Sequence, residues 1–364
     1  MQAVRKQYLQ HKSIRIKLNL TYLLQFLDIA DIIIVFRSAK QRILGEHTMA
    51  YGKIFGLSRY LNFSVAESKC PDIVYHYTSP EALINILKTG KIRFYDYRFM
   101  NDSSEFIYID SLIEKILPEF PSLQKELNQY LTSTDQRGVF PRSVETLGPL
   151  FSERTKHYYL FCTSTESDSL SMWRYYIKND KYQGVNIGFH PETIGLNIAI
   201  NTNQSNVEAI LHGPVIYDTA QQVQCIKHIF QEEQDRLTNP SRSAENIAFL
   251  IEKINECRIF FKHPAFTDEQ EYRFIIVENT AFKHLVSRKS PYEKNFIVKN
   301  GYFTSYCELN FLLDKSSPIH NITLAPSSAS NFALLREGIQ EYITQLNDQY
   351  ASIHINQSHI PVRY

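Results

Sequence analysis

Three short stretches of the sequence hold side chains whose types and spacing can do chemistry. In Asp268-Glu269-Gln270-Glu271-Tyr272-Arg273, a two-residue strand period puts Glu269, Glu271 and Arg273 on one face and Gln270 and Tyr272 on the other. Two carboxylates beside an arginine can hold a sugar hydroxyl and stabilise a developing positive charge, and their repulsion raises one pKa. A solvated strand edge with a Glu–Arg pair is the competing reading. His76-Tyr77-Thr78 stands where a strand gives way to a helix. A histidine there either donates to a sugar hydroxyl or closes the strand edge. The third stretch is Phe161-Cys162-Thr163-Ser164-Thr165, followed by Met172-Trp173-Arg174-Tyr175-Tyr176. The chain's single tryptophan beside an arginine and two tyrosines suits stacking on a planar ring and neutralising a phosphate. Core packing competes, more for Trp173 than for Tyr175 and Tyr176, which cannot both point inward.

The elements that must position these residues follow from local signals. Ile73-Val74-Tyr75 reads as a strand, and Thr78 or Ser79 caps a helix opened by Pro80 and Glu81. That helix buries Leu83, Ile86 and Leu87, stops at Gly90 and yields a second strand over 91–95. A helix over about 104–117 ends at Pro118, and strands are expected at 158–163, 184–189, 215–217, 271–277, 295–299 and 305–313. Ser169 to Tyr176 reads as one or two helical turns, and 220–262 as helical. The chain closes on an amphipathic helix started by Ser330, with Phe332, Leu335, Ile339, Tyr342, Ile343 and Leu346 on its apolar face.

Composition narrows the class. The 364 residues, 43 % hydrophobic and 21 % charged, can bury a large core, which excludes disorder as the main state. With 39 basic against 38 acidic residues there is no global basic field, so nucleic-acid binding has to be local. Five scattered cysteines without a Cys-x-x-Cys pair suggest neither a disulfide framework nor a zinc knuckle, and point to a reducing cytoplasm. Leu18 to Phe36 carries Asp28 and Asp31, each costing roughly 2.5–3.5 kcal/mol at a bilayer centre, so no membrane partner is expected. No phosphate-binding glycine loop, His-Glu-x-x-His or Gly-x-Ser-x-Gly occurs, and no metal is called for. Residues 1–48 are locally basic, with Leu20, Leu23, Leu24 and Leu27 on one helical face. An N-terminal basic, helical extension over 1–70 ahead of one domain over 71–364 is expected.

His76-Tyr77-Thr78, Met100-Asn101-Asp102-x-x-Glu105, Met172-Trp173-x-x-Tyr176, Gly184-Val185-x-x-Gly188-Phe189 and Phe266-x-x-Glu269-x-Glu271-Tyr272-Arg273 occur in that order. Together they resemble the bacterial "domain of unknown function 2971" family over most of 72–345. That family looks like a distant relative of the ADP-ribosyltransferase fold. The resemblance implies an α+β domain with two small, roughly orthogonal mixed β-sheets around a cleft and helical insertions at about 104–150 and 220–262. It implies an NAD-dependent ADP-ribosyltransferase, a toxin or antiviral-defence effector modifying a nucleic acid or protein and paired with an antitoxin or defence partner. Glu271 would be the catalytic carboxylate, Glu269 would activate the acceptor, and His76 would contact the ribose and carboxamide of NAD. Tyr77 and Thr78 would assist, Trp173 or Tyr176 would stack on nicotinamide, and Arg93 or Arg174 would meet the pyrophosphate. The alternatives are an NAD glycohydrolase using the same site and a non-catalytic nucleotide- or nucleic-acid-binding module.

Overall fold

The computed structural model divides into residues 1–50 and 51–364. It describes 53–56, 70–99, 104–135, 156–176, 184–201, 207–237, 250, 253–255, 257–279, 292, 294–299, 301–312, 317–326, 331–346 and 350–361. The leucine face at 20–27, Asn101, Asp102 and the cap expected at Ser330 lie outside these residues.

The strands are β1 (Lys53–Gly56), β2 (Val74–Thr78), β3 (Lys91–Asp96), β4 (Lys156–Ser164), β5 (Val185–Phe189), β6 (Val207–Pro214), β7 (Glu271–Asn279), β8 (Lys294–Lys299), β9 (Tyr302–Asn310), β10 (Ile319–Leu324) and β11 (His354–Gln357). They form one mixed sheet in the order β1-β6-β7-β4-β2-β5-β10-β11, in place of the two expected sheets. The sheet forks at β4. One edge of β4 pairs with β7 along its whole length, while the other is shared between β3, opposite Tyr159 and Leu160, and β2, opposite Ser164. The β3 arm continues through β9 to β8. β1 lies within the stretch read as an extension, yet it pairs in parallel with β6.

The helices are α1 (Pro80–Thr89), α2 (Ser104–Ile116), α3 (Pro121–Asp135), α4 (Leu170–Tyr176), α5 (Pro191–Asn201), α6 (Thr219–Leu237) and α7 (Phe332–Leu346). α1 starts as the sequence dictates: the Ser79 hydroxyl accepts from the Ala82 N–H, and Gly90 ends the helix in the left-handed region at φ 63°. The main core covers one sheet face, where Leu83 and Leu87 of α1, Ile194 and Ile198 of α5 and Ile343 of α7 meet Val74, Phe161, Tyr272, Phe274 and Ile276. On the opposite face Tyr158, Leu160, Ile275 and Val277 pack against Ile259 and Phe260. Beyond that segment α2, α3 and α6 form a separate helical core with Leu250, Ile254 and Cys257.

The structure departs from the sequence reading where tertiary pairing decides. Residues 215–217 make only a bridge, Ile216 to Phe261, and the strand is the preceding 207–214. Its alternation is masked because both faces are covered. α5, β10 and β11 were also unforeseen. Within 220–262 the long helix spans 219–237. On α7, Leu335 is 40 % exposed and off the packed face. Gly188 lies so close to the Asn321 amide that a Cβ there would collide with it.

Candidate active site

β7 alternates as a half-buried strand should, but both of its faces are covered. Tyr272, Phe274 and Ile276 enter the main core, and Glu271 and Arg273 turn to the other side with Ile275 and Val277. Burying a carboxylate demands compensation. Glu271, 4 % exposed, receives it at both oxygens: Lys262 Nζ donates to Oε1 at 2.9 Å and Arg273 Nε to Oε2 at 2.6 Å. The same lysine donates to Glu269 Oε2 at 2.7 Å. Two carboxylates and two cations thus form one neutral cluster. Arg273 also donates to the Ile259 carbonyl.

Each member is fixed from its own element. The Lys262 N–H donates to the Ile216 carbonyl at 3.2 Å, and the Lys262 carbonyl accepts from Gln222 Nε2 of α6 at 2.9 Å. Glu269 ends a 3-10 turn, Pro264–Glu269, in which His263 Nδ1 accepts from the Ala265 N–H. Gln270 then takes a left-handed φ of 42°, which L side chains seldom adopt, and this reverses the chain into β7. Ser164 at the end of β4 donates its hydroxyl to the Glu269 carbonyl at 2.8 Å, stapling the turn to the sheet. The Tyr217 hydroxyl accepts from the Glu271 N–H at 2.9 Å.

These surroundings push the two glutamates apart. Burial opposes ionisation of Glu271, but Arg273 and then Lys262 outweigh it and hold the carboxyl well below the usual range. Burial, reinforced by the hydrogen bond with Glu271, raises Glu269, and Lys262 offsets only part of that rise. Two neighbouring carboxyls with opposite shifts are the arrangement that assigns one as a permanent anion and the other as a proton carrier. Burial and then Glu271 and Glu269 push the Tyr176 phenol up, although the residue as a whole is 39 % exposed.

Tyr176 belongs to α4, which packs on β2 and on the 264–269 turn. Its inner side is core: Trp173 is buried, donates Nε1–H to Asp168 at 2.7 Å and meets Tyr77 edge-on at 4.7 Å. Trp173 and Tyr77 are therefore both packed into the fold. Arg174, Tyr175 and Tyr176 line the exposed side.

His76 is not brought to the carboxylates. Tyr75 pairs with Ser164, which pairs with Glu271, so Tyr75 and Tyr77 share the face of Glu271, while His76 and Thr78 take the other. His76 rests 4.8 Å from the Phe161 ring, and its Nδ1 donates to the Cys162 carbonyl at 3.2 Å. Burial lowers its pKa to about 4. Arg93 on β3 is spent on Glu308 at 2.9 Å and lies over Tyr306. Sequence reasoning missed Lys262 and Tyr217. The one signal was a lysine directly after the apolar run Ile259-Phe260-Phe261, where a charge has to find a partner.

The family model described as "Protein of unknown function (DUF2971)" matches residues 172–274. The chain carries a DUF2971 region. That region runs from Met172 on α4 to Phe274 in β7, and so contains Tyr176, Tyr217, Lys262, Glu269, Glu271 and Arg273 together. His76 and Arg93 fall outside it. Comparison with the curated proteins and with the solved structures found no match. Among the described residues no group of three His, Cys, Asp or Glu side chains is placed to hold a metal, and no helix is long and apolar enough to cross a membrane.

Proposed function

We propose that the chain cleaves the N-glycosidic bond between nicotinamide and ribose in NAD and passes the ADP-ribosyl group to an acceptor, as an ADP-ribosyltransferase of bacterial toxin or defence type. The observation that carries this reading is the pair Glu269 and Glu271, bridged by one lysine and with opposite proton affinities, beneath an exposed tyrosine. The ribosyl C1′–N bond breaks with its electrons leaving on nicotinamide, and the ribose becomes an oxocarbenium-like cation. Glu271 stays ionised and stabilises that cation through the lone pairs that Lys262 and Arg273 leave open. The acceptor's oxygen or nitrogen then bonds to C1′, and its proton passes to Glu269, whose raised pKa suits a base working near neutrality. The exposed face of α4 fits the substrate: Tyr176 offers a stacking surface, and Arg174, which makes no ion pair among the described residues, offers a pyrophosphate partner. His76, on the opposite face, has no part in this scheme.

Water as acceptor is the second reading, an NAD glycohydrolase. It is favoured by the position of Glu269, whose side chain is 13 % exposed against 4 % for Glu271, so solvent meets the proton carrier first. Incubating the protein with NAD labelled on the adenylate phosphate and with cell extract tests both. The expected result is nicotinamide release that falls about 100-fold or more in Glu271→Gln, assayed at a temperature where the variant is still folded, since a single stabilising group at a charged transition state is worth that much. Label fixed to macromolecule indicates the transferase, and free ADP-ribose the glycohydrolase. Failure to release nicotinamide by folded protein overturns both.

A further inference from the structure

The β8–β9 hairpin is where the described surface is most apolar. Phe296, Ile297, Val298, Tyr302 and Phe303 are all exposed within eight positions of the chain. The register pairs Val298 with Phe303 and Phe296 with Ser305, which sets Phe296, Val298 and Phe303 on one face, 66 %, 62 % and 74 % exposed. The two phenylalanines are diagonal neighbours across the ladder, a spacing of about 7–8 Å. The turn beyond them is open: Gly301 has φ 82° and nothing within 4 Å of where a Cβ would stand.

Charge and shape select the occupant. No Asp or Glu lies between Glu293 and Glu308, and the same stretch carries Lys294 and Lys299, in a chain that is otherwise balanced. Lys294 at the root is held by the buried Glu278 at 3.2 Å and lies over Tyr159, so part of this charge is anchored in the fold. A second copy of the chain would gain little here. Two rings of 150–250 Å² and a valine, about two-thirds exposed, offer on the order of 350 Å², against about 800 Å² per partner in a standard interface. A lipid surface would have to admit the polar tip Lys299-Asn300-Gly301 first. Two exposed rings on neighbouring strands in a stretch poor in acids match what unpaired bases need: stacking surfaces and no repulsion of phosphate.

We propose that this hairpin binds single-stranded nucleic acid, with Phe296 and Phe303 each stacking beneath one base. The surface is argued apart from the carboxylate chemistry; joined to it, it makes nucleic acid the acceptor. The test is fluorescence anisotropy of the full chain with short labelled RNA and DNA oligonucleotides, without NAD. The native chain binds, added salt weakens the complex, and Phe296→Ala and Phe303→Ala each weaken it about 10- to 100-fold. Melting temperature and nicotinamide release stay unchanged in both variants, so a failure here is distinguishable from a failure of the proposed reaction. The proposal is overturned by absence of oligonucleotide binding, by binding indifferent to both substitutions, by phenylalanine-dependent sedimentation with phosphatidylcholine–phosphatidylserine vesicles in place of oligonucleotide binding, or by a phenylalanine-dependent dimer.

Discussion

The two faces of β7 differ sharply, although they are built from alternate residues of one strand. Tyr272, Phe274 and Ile276 disappear into an apolar core, where the His212 ring stacks on Phe274 and His76 lies against Phe161. Glu271 and Arg273 turn into a pocket of four charges that neutralise one another. Both faces are buried, yet one is organised by area and the other by charge balance. Burial therefore does not mark a residue as structural. What separates the faces is whether charged partners act on a group's proton affinity alongside burial.

The largest expected effects probe both faces at once. Phe274→Ala and Lys262→Met should each cost about 3–5 kcal/mol, the first by cavity formation and the second by leaving two carboxylates to one arginine. Denaturant titration at several pH values separates them. The Lys262 defect should shrink as pH falls and the carboxylates protonate, whereas the Phe274 defect should not change. Equal pH dependence would dissolve the contrast.

Next comes the imidazole face. His76 and His212 both have pKa values lowered to about 4 by burial. The folded state binds fewer protons than the unfolded one below pH 6.5, so their contribution is complete above that pH and is lost as pH falls towards 4. Between pH 7 and 5 each should remove about 2 kcal/mol. His212→Gln should flatten its share of the loss in thermal melts, and an unaltered slope would show that His212 titrates normally.

The last effect belongs to Glu269. Its raised pKa means that it favours folding at low pH and loses that contribution as pH rises through the folded value. Glu269→Gln imitates the protonated form, so its stability should match the native chain at pH 5 and exceed it at pH 8, where the native carboxyl has lost its proton. A loss at pH 8 would mean that the ionised form is the stabilising one.

Local chemistry made much of this legible in the sequence. Ser79, Pro80 and Gly90 bounded α1 because caps act within a few residues, and the period of two placed Glu271 with Arg273 on one face. Glu269 reached the same cluster by another route, from the end of a turn that a left-handed Gln270 reverses. His76 was joined to Glu271 by chain order and resemblance, and only the register through Tyr75 and Ser164 separates them. β6 and β10 were missed for a related reason: strands covered on both sides lose the alternation that announces them. Lys262 could not be assigned, because what positions it are Ile216 and Gln222, some forty residues away in the chain.

That last tie reaches beyond packing. Gln222 holds both the Ile216 and the Lys262 carbonyls through one amide, and it sits in the first turns of α6, whose inner side belongs to the helical core formed with α2 and α3. A lysine that lowers the proton affinity of both Glu269 and Glu271 is thus suspended between the sheet and an outlying helical layer. Loosening that layer, by heat or by a ligand or partner seated on its outer surface, is then expected to change how strongly the two carboxyls hold their protons without touching either one.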